Sequence, residues 1–155
     1  MFKKLGRLAA CTMVFILSLT AVASAEEAPD IRVQLSGSST SAGIAVAQGR
    51  YKVINGETGM SLGTAGEGNT YSVSKEGLSL RLSGIAKKDK VVKTQSIFFI
   101  PAEGEKQYLL SFNNIKYSGR ITVYNTSQGL RVVNTLPLEE YLYLSLIHIS
   151  EPTRH

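Results

Sequence analysis

The sequence predicts a mainly β fold: short antiparallel strands and hairpins, with the start of a helix near Pro137. Three observations carry this. Apolar residues recur at every second position in short runs, the period of half-buried strands. Glycine, asparagine and serine punctuate those runs at short intervals. After the first 25 residues, no long stretch shows the 3.6-residue recurrence of an amphipathic helix.

The chain opens with Lys3, Lys4 and Arg7, and Leu8 to Val22 is mostly apolar. Ala23-Ser24-Ala25 then precedes Glu26, a small-residue cleavage signature, so 1–25 is expected to be a secretory signal peptide cleaved after Ala25. The expected location is secreted or in the cell envelope, with membrane contact only through that segment. Leu8-Ala9-Ala10-Cys11 imitates a lipoprotein box, but the apolar core follows Cys11 instead of preceding it, which argues against lipidation. The apolar run is also shorter than the ~20 residues of a spanning helix. Cys11 is the one cysteine, so the exported part has no disulfide and depends on its core.

The formal charge of +5 overstates how basic the mature chain is. Leaving out Lys3, Lys4, Arg7, Arg154 and Glu151 lowers it to +2 across Glu26–Tyr143. That balance does not point to nucleic acid, which calls for a concentrated basic face. No Cys or His cluster is spaced for a metal, and no cofactor is expected.

Taken in order, Glu26 to Asp30 is a polar lead and Ile31–Leu35 alternates as a first strand. Ser36–Ser41 is a loop by composition. Ile44–Val46 and Tyr51–Ile54 are short strands separated by Gly49, and Asn55-Gly56 is a hairpin turn. Gly56, Gly59, Gly63, Gly66 and Gly68 lack the Gly-Lys-Ser/Thr ending of a phosphate loop and are expected to form flexible turns. Tyr71–Val73 and Leu78–Leu82 alternate again across a Lys75-Glu76-Gly77 turn.

Lys87, Lys88, Lys90 and Lys93 surround Asp89 at a strand connection. Contact with anionic cell-wall polymers is the functional reading; a solvated charged turn is the usual one for such runs. Ser96–Ile100 is a continuous apolar run, expected to be a buried strand, and Tyr108–Phe112 is another, followed by an Asn113-Asn114 turn. The seven tyrosines are scattered along these strands; aromatic faces can serve as sugar platforms, but Tyr in a strand is more often a fit to the pleated surface. Asn125-Thr126-Ser127 matches a glycosylation sequon but falls where a turn is expected, and is taken as turn chemistry.

The most informative stretch is Tyr117–Tyr143. Ile121, Val123, Leu130 and Val132 alternate on either side of Thr126-Ser127-Gln128-Gly129, which is strand, turn, strand. Pro137 suits a first helical position, and Glu139 and Glu140 suit a first turn, where the helix dipole favours carboxylates. Gly119-Arg120, Leu130-Arg131-Val132-Val133-Asn134 and Leu138-Glu139-Glu140-Tyr141-Leu142-Tyr143, in this order, resemble the SpoIID/LytB domain. That family includes the stage II sporulation protein D and the amidase enhancer LytB. The match is close over roughly the last quarter of the chain and looser at Ile31-Arg32-Val33.

After Tyr143 the family pattern would continue with Gly-Val-Val and a Ser/Ala-Glu-Met-Pro segment. Residues 144–155 instead resemble the translation of a transposase-type sequencing adapter, which sets aside His148, Glu151 and His155 as ligands, acids or bases. The expected native region is therefore 26–143, the N-terminal part of a truncated α+β domain. The resemblance implies a peptidoglycan lytic transglycosylase acting on glycan strands, in some members during sporulation. A carboxylic acid would protonate the glycosidic oxygen and then help the sugar's own hydroxyl close an anhydro ring. The catalytic glutamate belongs to the Ser/Ala-Glu-Met-Pro segment beyond Tyr143, so no catalytic residue is assigned here. Glu139 and Glu140 are expected to stabilise the helix start. The other class of function is a non-catalytic wall-binding module that enhances a cell-wall amidase.

Overall fold

The computed structural model describes residues 28–150 and is built almost wholly of antiparallel strands. They are β1 (Asp30–Ser39), β2 (Ser41–Gln48), β3 (Arg50–Asn55), β4 (Ser61–Gly66), β5 (Thr70–Glu76) and β6 (Ser79–Ser83). After these come β7 (Lys90–Val92), β8 (Ser96–Pro101), β9 (Leu109–Phe112), β10 (Ile115–Tyr117), β11 (Arg120–Thr126) and β12 (Gly129–Pro137). A helix, α1 (Leu138–Ser150), follows β12. The expected signal segment, Glu151 and His155 lie outside the described residues.

Two six-stranded sheets form, ordered β1-β12-β11-β8-β3-β4 and β10-β9-β2-β5-β6-β7. Both feed one core, and the two-residue period explains how. Ile44 and Val46, Tyr51 and Val53, Tyr71 and Val73, and Leu80 and Leu82 are each a buried pair two residues apart on one strand. Ile97 and Phe99, Leu110 and Phe112, Ile121 and Val123, and Leu130 and Val132 continue the pattern. These eight strands each offer one face to a shared interior, the arrangement of a β-sandwich.

The mainly β expectation holds, and five local expectations need correcting. Ser36–Ser41 is not a loop: β1 runs to Ser39 and β2 starts at Ser41. Its small residues absorb register shifts against β12 between Gln34 and Ser36 and between Ser36 and Ser39. Gly56–Gly68 is not a run of turns, since Ser61–Gly66 is a strand paired with β3. Gly63, at φ 146°, lies under the Ile85 side chain, which occupies the space a Cβ would need. Asn55 opens a longer loop: its Oδ1 accepts from the N–H groups of Glu57 (3.0 Å) and Thr58 (3.3 Å).

Leu78 belongs to the turn between β5 and β6, where it is 83% exposed, and not to the strand. Pro137 ends β12 opposite Asp30, and the helix begins one residue later. The Leu138 N–H, freed at the helix start, donates to Pro29 O at 3.0 Å. α1 is continuous across position 143, where the sequence pattern changes. Among the described residues, no helix is long and apolar enough to cross a membrane.

Candidate functional site

The residues of the β10–β11 junction, β12 and the first turn of α1 interlock at one corner of the sandwich. Gly119 takes φ 83°, and a Cβ there would sit 2.9 Å from Leu136 Cβ, so only glycine lets the chain cross β12 this closely. Asn134, 4% exposed on β12, reaches across the crossing. Its Nδ2 donates to the carbonyls on either side of Gly119, Ser118 O at 2.7 Å and Arg120 O at 3.2 Å. Ser118 Oγ in turn donates to the Glu140 carboxylate in the first turn of α1. Strand ending, glycine crossing and helix start are therefore one hydrogen-bonded unit.

Beside this unit opens a cleft of ≈ 480 Å³, walled by Gln48, Gln107, Tyr108, Ser118, Glu140 and Tyr143 among others. That volume suits a small ligand, and its wall mixes polar groups with the apolar surface of Leu109, Leu144 and the tyrosines. Below it, Tyr51 is fully buried, its ring meeting Tyr108 edge-on at 6.3 Å between centroids. The Tyr51 hydroxyl has no hydrogen-bond partner among the described residues. Burial pushes the Tyr51 phenol well above its ordinary value, with Tyr108 and then Glu140 adding to the shift. Burial raises Tyr108 as well, again with a contribution from Glu140. Both tyrosines stay neutral hydrogen-bonding groups over the ordinary pH range.

Glu139 is exposed, whereas Glu140 is half-buried and bonded to Ser118, so the two adjacent glutamates sit in different environments. The lysine cluster is an exposed turn tied down locally: Lys90 Nζ donates to Leu62 O at 3.1 Å, and Asp89 lies 3.7 Å from Arg81. Asn125, the sequon residue, is 8% exposed, and its Nδ2 donates to Gly77 O at 3.1 Å and Ser79 O at 3.2 Å. Lys75 Nζ meets Asn125 Oδ1 at 2.9 Å and also donates to Thr126 O, so this asparagine pins the two sheets together. His148 lies in α1. Among the described residues no group of three or more His, Cys, Asp or Glu is placed to hold a metal.

In the sequence Gly119, Asn134 and Glu140 stand as letters of the resemblance, with no site role assigned, and Ser118 and the buried Tyr51 hydroxyl are not singled out there. A serine followed by glycine ahead of a strand was the available signal for the first; nothing local announces the second. No protein-family model, curated protein or solved structure matches this chain.

Proposed function

We propose that this is an exported peptidoglycan-remodelling protein, its strands the N-terminal part of a SpoIID/LytB-like domain. The parent activity is lytic transglycosylation of glycan strands. The observation that supports this reading is the corner around Gly119. Arg120, Asn134 and Glu140, three residues of the resemblance, are tied together there by hydrogen bonds that run partly through Ser118. A chance string of strand and helix residues would not be expected to meet in this way.

On this reading the general acid is a glutamate supplied after position 143, and neither Glu139 nor Glu140 replaces it. Glu139 is exposed, and Glu140 is engaged by Ser118 at the helix start. A first-turn carboxylate contributes ~0.3–1 kcal/mol to a helix, which is reason enough for both residues. The cleft beside Glu140 is where a sugar would be held, with Gln48, Gln107 and Tyr108 among the polar residues of its wall.

The test compares Glu26–His155 with a chain continued from Tyr143 by the genomic sequence, both given purified glycan strands. Anhydro-sugar release by the continued chain alone is the expected result. Release by the shorter chain, lost on Glu140→Gln, would put the acid at Glu140 and overturn the assignment. Activity in neither, with stimulation of a cell-wall amidase, would move the reading to the enhancer module.

A further inference from the structure

The outer face of the β1-β12-β11-β8-β3-β4 sheet carries a row of cations that the glycan reading does not use. Arg32 on β1 and Arg120 on β11 both stand opposite Thr135 of β12. They are therefore two strands apart, about 10 Å from the ~4.8 Å strand spacing. Ile121 pairs with Phe99 on β8, which sets Ile100 beside Arg120, and Lys52 of β3 pairs with Ile100. The row is thus Arg32, Arg120, Lys52, one cation on every second strand, running across the strands. Arg131 lies alongside, opposite Tyr124 of β11, and both line a hollow of ≈ 430 Å³ with Arg32, Gln34 and Val133.

Arg32 and Arg120 are fixed against aromatic rings and, for Arg32, a hydroxyl, not against acids. Arg32 Nη2 donates to the Tyr124 hydroxyl at 2.6 Å, with its guanidinium 5.9 Å from the ring centroid. Arg120 sits 5.2 Å from the Phe98 ring centroid, and its Nε is buried without a hydrogen-bond partner among the described residues. Among those residues, Arg32, Arg120 and Arg131 make no ion pair. Lys52 has only a 3.5 Å contact with Glu103, whose side chain is 94% exposed. The nearby acids are peripheral: Asp30 at the start of β1, and Glu103 and Glu105 beyond β8.

We propose that this face binds a linear phosphodiester polymer of the polyol phosphate type through Arg32, Arg120 and Arg131, with Lys52 extending the row. A guanidinium fork matches a phosphate bidentately, and Arg held against an aromatic ring is already oriented for it. The direction of the row separates this partner from others. A polypeptide binding by strand addition would run along a sheet edge, parallel to the strands and not across them. A single-stranded nucleic acid needs free aromatic faces for its bases, and the rings here, Tyr124 and Phe98, already lie under arginines. A chain with spaced charges and no bases meets neither obstacle. The surface does not include the cleft beside Glu140, so its failure and the failure of the glycan reading are separate results.

The experiment titrates the purified full chain against labelled poly(glycerol phosphate). Expected is saturable binding that weakens steeply with salt and falls about tenfold for each of Arg32→Gln and Arg131→Gln. Both arginines are exposed, so an unchanged melting temperature is the folding control. Arg120→Lys keeps the charge but loses the fork, and is expected to retain part of the binding. Undiminished binding by the Arg32→Gln/Arg131→Gln double variant would overturn the proposal. So would binding that is lost instead on Lys87→Gln/Lys88→Gln, or polyuridylate or polyglutamate binding as tightly.

Discussion

β12 and α1 are consecutive segments, and α1 is the richer in apolar residues, yet it is β12 that buries its own. In β12, Leu130 and Val132 are 0% exposed and Leu136 is 3% exposed. One residue past its end, α1 leaves Leu142 50%, Tyr143 64% and Leu146 64% exposed. The difference lies in order, not composition. Alternation sends every second residue of β12 to the same interior, whereas Tyr141-Leu142-Tyr143-Leu144 winds apolar side chains around the whole helix. A helix apolar on all sides cannot bury them against a single sheet edge. The sandwich thus carries the stability, and α1 rides on its corner.

The comparison breaks most visibly by emptying the core. Phe99, fully buried on β8 between β11 and β3, is expected to cost about 3–5 kcal/mol as Phe99→Ala. Urea denaturation followed by tyrosine fluorescence would register this as a large fall in midpoint. A cost under about 1 kcal/mol, as for an exposed site, would mean that the two sheets do not share one core. The corner comes next. Asn134→Ala leaves the Ser118 and Arg120 carbonyls without their donor and is expected to cost about 1–3 kcal/mol. If Asn134→Ala proves neutral in the same titration, the corner is not the hydrogen-bonded unit described.

What was legible in the sequence follows the same division. Alternating pairs such as Ile121 and Val123 announced both strand and burial, because a two-residue period has one physical meaning. Gly63 and Ser36–Ser41 were illegible because small residues are common to turns, bulges and close approaches alike. Only the partner, Ile85 in one case and β12 in the other, decides between them. The cationic row was hidden for a different reason: Arg32, Lys52 and Arg120 lie in three separate strands, and only strand order aligns them. In the corner, Gly119 and Asn134 were visible as motif residues, but their mutual hydrogen bonding was not.

A smaller effect, of opposite sign, is expected at Tyr51. Removing an unpartnered buried hydroxyl by Tyr51→Phe is expected to stabilise the fold by about 1 kcal/mol. The pH dependence gives an independent check. Because the folded-state value of Tyr51 is raised, its contribution is intact below the ordinary tyrosine value near 10. Above that pH the unfolded chain ionises first, and stability is lost as pH rises towards the folded value. Tyr51→Phe should therefore flatten the alkaline limb of a stability–pH profile, while Tyr108 continues to contribute in the same direction. An unchanged alkaline limb would mean that Tyr51 ionises as readily folded as unfolded.

The smallest effect is expected where composition alone would predict a large one. Leu142 is an apolar residue in the middle of a helix, and a buried leucine truncated to alanine costs about 2–5 kcal/mol. Here it is half-exposed, and alanine has the better helix propensity, so Leu142→Ala should change stability by no more than about 0.5 kcal/mol. The measurement must be made at two protein concentrations, because exposed Tyr141, Leu142, Tyr143 and Leu146 could also be covered by a second copy. A small change that does not depend on concentration keeps α1 as a passenger on the sandwich. A loss comparable to Phe99→Ala at every concentration would place Leu142 in a packed interface within the monomer, and the contrast between β12 and α1 would fall. A loss that appears only at high concentration would instead make the apolar wrap of α1 an intermolecular contact, leaving the sandwich as the folded unit.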